Sequence, residues 1–94
     1  MYKNFRIGLL IPAYNEAENI GVVLKSIPDY IDHILVVNDG SADKTVKIAQ
    51  ENGAKVVSHK SNKGVGATFK TGVRNMLDTD LDIMVNMDAD GQFK

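Results

Sequence analysis

Four short apolar runs punctuate the chain: Ile7 to Ile11, Ile34 to Val37, Lys55 to Ser58 and Ile83 to Met87. They do not alternate with polar residues, and they are rich in β-branched side chains. That pattern predicts strands buried on both faces of a parallel sheet. Helical spacing fills the intervals. Ala17, Ile20, Leu24 and Ile27 recur three and four apart and form one apolar stripe. This helix is expected to start just after Asn15, with Asn15 and Glu18 as a capping box, and to stop at Pro28. A second helix is expected from about Ala42 to Glu51, with Ala42, Val46 and Ala49 inward and Asn52-Gly53 as its stop signal. A third runs from about Gly66 to Leu77, with Phe69, Val73 and Met76 or Leu77 as its stripe, and ends at Asp78-Thr79-Asp80.

The element order is β-α-β-α-β-α-β. Parallel neighbours need crossover connections, and those crossovers are right-handed. The expected architecture is therefore an α/β, Rossmann-like open parallel sheet with strand order 3-2-1-4 and helices on both faces.

Polar residues are distributed unequally over the two edges of such a sheet. Pro12-Ala13-Tyr14-Asn15-Glu16 follows the first strand, Asn38-Asp39-Gly40-Ser41 the second, Ser61 to Gly66 the third and Asp88-Ala89-Asp90-Gly91-Gln92 the fourth. All four clusters fall beyond the carboxyl ends of the strands, where open α/β sheets bind ligands. The opposite connections, around Pro28 to His33, Asn52 to Ala54 and Asp78 to Asp82, read as plain turns.

Each cluster has a chemical reading and a plainer one. Asp88 and Asp90 can both reach one hard cation, Mg²⁺ or Mn²⁺, with Gln92 as a further oxygen donor; alternatively they form an acidic turn. Asp39 can accept hydrogen bonds from a base N–H or cap the helix that follows. Tyr14 either stacks on a base or covers the sheet edge. Glu16 either binds a nucleotide or complements a helix N-terminus. Lys63 either faces a phosphate or sugar or sits in a loop that its glycines keep pliable. The segment Gly64-Val65-Gly66 leads to Phe69 where a dinucleotide fingerprint needs glycine, and a P-loop fails at the same residue. His33 and His59 lack metal-ligand spacing and read as ordinary strand-flanking histidines.

Composition narrows the classes. A chain of 94 residues suits one small domain, and 44% hydrophobic with 24% charged residues is ordinary for a globular protein. A net charge of −1 gives no electrostatic case for nucleic acid or an anionic membrane. The absence of cysteine excludes disulfides and thiolate metal sites. The run from Ile7 to Ile11 is too short for a signal core or a membrane span, so the expected location is cytoplasmic, with any membrane contact made through other parts of a longer protein.

Taken together, Ile11 to Glu16, Val37 to Thr45, Asn62 to Gly66 and Asp88 to Phe93 resemble the signature of family-2 glycosyltransferases, most closely the dolichol- or polyprenyl-phosphate sugar transferase group. The resemblance implies the N-terminal part of a GT-A fold that takes a UDP- or GDP-linked sugar with Mg²⁺ or Mn²⁺. It assigns Pro12, Ala13, Tyr14, Glu16, Asp39, Lys63 and Asp88 to the nucleotide sugar. It assigns Asp88, Asp90 and Gln92 to the metal, the first two as a D-x-D motif. Catalytic domains of this family continue well past that motif. The expectation is thus a donor-binding part of residues 1–94, with no catalytic base or acceptor site in it, inactive alone. Uncovered apolar surface at the sheet edge would favour self-association. Two other readings stand beside it: a nucleotide-sugar-binding module without activity, and a nucleotidyltransferase. The latter ordinarily carries a glycine- and arginine-rich loop after its first strand, which Pro12 to Glu16 does not resemble.

Overall fold

The computed structural model describes residues 2–77 and 79–89. It contains β1 (Ile7–Ala13), α1 (Ala17–Lys25), β2 (His33–Asn38), α2 (Thr45–Glu51), β3 (Lys55–Ser58), α3 (Val65–Met76) and β4 (Ile83–Asn86). The four strands form one parallel sheet in the order β3-β2-β1-β4, as the apolar runs predict. Side chains alternate between two cores. Leu9, Ile11, Ala13 and Val36 pack with Ile20, Val23, Leu24 and Ala49 of α1 and α2 on one face. Leu10, Leu35 and Val37 pack with Met76 of α3 on the other. Burial on both faces is why the strands carry no polar alternation.

Register brings the strand ends together. Ala13 lies beside Asn38, and Asn38 beside Ser58, so Tyr14, Asp39 and His59 leave the sheet at one level. β4 stops lower, with Asn86 beside Leu10. The other edge is less plain than the sequence suggests. Asp82 accepts the Arg6 N–H at 2.8 Å and Asp32 accepts the Ile7 N–H at 2.8 Å, so two carboxylates fasten the entry to β1.

The helices depart from expectation in instructive ways. α1 starts at Ala17, and the Asn15–Glu18 capping box does not form: Glu16 occupies the cap position, and its side chain caps no backbone N–H. α2 is shorter than expected and buries Thr45 and Ala49, leaving Ala42 outside it. In α3 the inward residues are Thr68, Gly72 and Met76. Of the expected stripe, Met76 does face inward, whereas Phe69 and the alternative end Leu77 are turned outward, 43% and 77% exposed. Gly72 explains the rotation. A Cβ there would lie 2.2 Å from Cδ1 of Leu10, so only glycine lets α3 come this close to the sheet. An apolar residue one position off a small one wins the stripe by hydrophobicity but loses it by size.

The same substitution at two glycines of α3 should therefore have opposite effects. Gly72→Ala should lose about 1 kcal/mol net, since overpacking of ~1–3 kcal/mol exceeds the ~1 kcal/mol of helix propensity regained. Gly66 has no atom within 4 Å of an added Cβ, so Gly66→Ala should be stabilising by up to ~1 kcal/mol. Urea unfolding midpoints of the two variants would show the opposite signs.

Candidate functional site

The loops after β1 and β2 are laced to each other before either contributes to a site. Asn15 adopts a left-handed backbone with φ of 51°, which asparagine tolerates better than most residues. Its N–H donates to Ser41 Oγ at 2.9 Å, and its Oδ1 accepts the Ala42 N–H at 2.8 Å. The free N–H groups at the start of α1 are satisfied from the neighbouring loop. Glu16 N–H donates to Thr45 Oγ1 at 3.0 Å, and Ala17 N–H to Asp43 Oδ2 at 3.2 Å. The Thr45 hydroxyl donates to Asp43 in turn. Asn15 is thus a loop clamp, and the capping groups of α1 are supplied by Asp43 and Thr45.

The loop after β3 is fastened to the end of β2 through Asp39. His59 Nδ1 lies 2.8 Å from Oδ1 of Asp39, the Lys63 N–H donates to the same oxygen at 2.9 Å, and the Gly64 N–H donates to Oδ2 at 2.8 Å. An ionised carboxylate only accepts, which assigns the Nδ1 proton to His59. On the other side of the ring, Nε2 lies 2.7 Å from Thr71 Oγ1 of α3. Asp39 is 4% exposed. Burial opposes its charge, but the bonds from His59, Lys63 and Gly64 together outweigh it and hold the carboxyl below the usual range. Gly40 sits under the same loop with φ of 78°, and a Cβ on it would come within 2.7 Å of the Ser61–Asn62 backbone.

These connections frame an open cleft of about 330 Å³ at the carboxyl edge of the sheet. Its lining is Pro12 and Ala13, which the sequence reading set beyond the strand but which close β1, then Tyr14 and Glu16 after it, Asp39 after β2, Val65 and Thr68 of α3, and Asp88 and Ala89 after β4. Six of the sequence-selected residues therefore meet in one place: Pro12, Ala13, Tyr14, Glu16, Asp39 and Asp88. Lys63 is not among the lining residues; its described role is the backbone bond to Asp39. Asp90 and Gln92 lie outside the described residues. Among the described residues, three of the nine lining side chains are acidic and none is basic, so this part of the cleft is an anionic wall with apolar patches.

Sequence reading missed His59, Thr71 and the first turn of α3. His59 is not an ordinary strand-flanking residue: its side chain is 9% exposed and bridges two elements. One signal was available. His59 is the first residue past β3, as Tyr14 is past β1 and Asp39 past β2. Thr71 carried no signal, because an isolated threonine in a helix says nothing about what faces it.

Among the described residues, no helix is long and apolar enough to cross a membrane, and no group of three or more acidic or histidine side chains is gathered for a metal. The described part of the metal assignment is Asp88, a hard oxygen donor at the cleft.

Because the Asp39 carboxyl is depressed in the folded chain, the unfolded chain binds more protons just below its ordinary pKa of about 3.9. The stability contributed by Asp39 should be complete above that value and should disappear as pH falls through the lower folded value. Asp43, held low first by its Thr45 hydroxyl bond, acts with the same sign. Asp39→Asn should cost ~1.5–3 kcal/mol near neutral pH, the scale of bonds to a charged acceptor, and should flatten the acid limb. Urea midpoints measured from neutral pH to about pH 3 would reveal both effects.

Comparison with known proteins places this geometry among transferases. The profile described as Glycosyl transferase family 2 matches residues 9–94. The UDP-N-acetylglucosamine–dolichyl-phosphate N-acetylglucosaminyltransferase of Methanococcus voltae is 38% identical over 92% of this chain and 41% of its own length. The polyprenol monophosphomannose synthase of Mycolicibacterium smegmatis is 35% identical over 88% of this chain and 34% of its own. A crystal structure of glucosyl-3-phosphoglycerate synthase from Mycobacterium tuberculosis, in complex with Mn²⁺, UDP and glucosyl-3-phosphoglycerate, matches with a TM-score of 0.75. It is 31% identical, over 92% of this chain and 34% of that one. The chain thus spans about two fifths or less of these relatives. The four motifs, the sheet order and the profile match agree: the chain belongs to glycosyl transferase family 2.

Proposed function

We propose that the cleft binds a nucleoside-diphosphate sugar, UDP- or GDP-linked, and that this chain is the donor-binding part of a sugar transferase. The observation that carries this reading is the meeting of Pro12, Ala13, Tyr14, Glu16, Asp39 and Asp88 around one cavity. Support comes from UDP in the related synthase structure. The names of the two relatives support a dolichyl or polyprenyl phosphate as acceptor. An acceptor of that kind is already an anion, so it calls for no general base from these residues. It would also bring the reaction to a membrane, at its cytoplasmic face in this reading.

The residues divide the work by chemistry. Tyr14 and Pro12 offer flat apolar surface to a base or ribose. Asp39 keeps its charge and a fixed orientation, so its remaining lone pair can accept an N–H or hydroxyl of the nucleoside. Glu16 adds a second acceptor beside it. A diphosphate entering this cleft meets like charge from Glu16, Asp39 and Asp88, and among the described residues no basic side chain lines the wall to offset it. A hard divalent cation resolves that conflict, and Asp88, with Asp90 and Gln92, would hold Mg²⁺ or Mn²⁺. When bound, such a cation stabilises the charge that develops on the departing nucleotide.

Calorimetry tests the reading. UDP or GDP should bind with Kd between about 1 µM and 1 mM when Mn²⁺ is present, and much more weakly in chelator. Asp88→Asn and Asp90→Ala should each abolish the metal dependence. Binding indifferent to Mn²⁺ would remove the metal assignment, and absence of any nucleotide binding would remove the donor reading.

The outer side of α3 and the edge strand supply the self-association also proposed here. Phe69, Leu77, Ile83 and Met84 are exposed, and among the described residues β4 is hydrogen-bonded to β1 alone. Sedimentation velocity should give a mean mass that rises with concentration. Leu77→Lys should restore the monomer, with no effect on nucleotide binding.

A further inference from the structure

His59 belongs to no wall of the cleft, yet its side chain joins two of them, Asp39 after β2 and α3. The carboxylate of Asp39 has about four lone-pair directions. The His59 ring and the Lys63 N–H take two of them on Oδ1, and the Gly64 N–H takes one on Oδ2. One direction on Oδ2 is left for a ligand, so the rotation of the carboxylate decides where that direction points. Two of the three restraints come from main-chain groups of the same loop. The loop lies across Gly40, where no Cβ would fit. His59 provides the third restraint, and its far nitrogen reaches Thr71. Thr71 lies on α3 three residues after Thr68, which lines the cleft together with Val65.

We propose that His59 is a positioning residue of the donor pocket, fixing the ligand-facing oxygen of Asp39 and the first turn of α3 as one unit. This inference rests on the donor-binding reading above. Its physical basis is preorganisation: a carboxylate held before the ligand arrives loses no freedom on binding. The ring suits the task because its two nitrogens point in opposite directions. With Nδ1–H donating to Asp39, Nε2 of the neutral ring accepts the Thr71 hydroxyl. Both Asp39 and Thr71 are then oriented by a group that never touches the ligand.

The shape of the ring makes the test selective. An asparagine amide places its N–H close to the position of Nδ1, and a glutamine amide reaches toward the position of Nε2. Calorimetry with UDP and GDP in the presence of Mn²⁺ is therefore run on the whole 94-residue chain and on His59→Ala, His59→Asn, His59→Gln and Thr71→Val. His59→Ala should weaken binding ~10-fold, the scale of one bond to a charged acceptor. His59→Asn should recover most of the affinity, His59→Gln should not, and Thr71→Val should lose ~3-fold. If His59→Ala does not fold, the other three variants decide alone. In amide-proton spectra of the free protein, the Lys63 and Gly64 resonances should move in His59→Ala and Gln, and stay near their wild-type positions in Asn. Wild-type protein that binds neither nucleotide overturns the donor reading and this inference with it. Wild-type protein that binds, with His59→Ala binding equally, overturns this inference alone. Equal losses in the Asn and Gln variants also overturn it, because that is the pattern of general destabilisation.

Discussion

Everything at the functional edge hangs on the parallel pairing of β1 with β2 and β4. Parallel strands cannot be joined by a tight turn, so each connection must travel back along a face of the sheet. The carboxyl ends of all four strands consequently emerge on one side, and every loop that leaves them starts within reach of the others. Ala13, Asn38 and Ser58 are in register, which puts Tyr14, Asp39 and His59 side by side although 20 or more residues separate each from the next. The lower finish of β4 sets Asp88 as the remaining side of the same hollow.

Pairing brings the loops close, and hydrogen bonds make them rigid. The loops after β1 and β2 are joined by Asn15, Ser41, Asp43 and Thr45; those after β2 and β3 are joined by Asp39 with His59, Lys63 and Gly64. In both cases the acceptors are mainly side chains and the donors mainly backbone N–H groups. This is the economical way to satisfy main-chain groups in loops that have no regular structure. It also leaves three carboxylates, those of Glu16, Asp39 and Asp88, lining one hollow. In the proposed reading, that charge serves a phosphate-bearing ligand accompanied by a cation.

The close approach of α3 shows how packing overrules pattern. By hydrophobicity, Phe69, Val73 and either Met76 or Leu77 should face the sheet. By shape, Gly72 must, because Leu10 occupies the space that any Cβ would need. The consequence reaches the site. With Gly72 inward, Thr71 reaches the His59 ring, and Val65 and Thr68 line the cleft. Phe69 is released to the outside, where it adds to the apolar surface beside β4.

The chain's own order of residues determined the strands, their parallel sense, the sheet order and the edge on which function resides. Those follow from local signals: unbroken apolar runs, helical spacing between them and polar clusters after each strand. It also identified six of the residues that line the cleft, because motif residues immediately after a strand can hardly be anywhere else. Tertiary structure alone decided which face of α3 is buried, what caps α1, and that Asp39 is held by His59 and two backbone groups from a loop more than 20 positions away. Each of these is a contact between segments distant in sequence. Its cause is the size of one partner, as at Gly72, or the geometry of the other, as at His59, and neither is written in the periodicity of the chain.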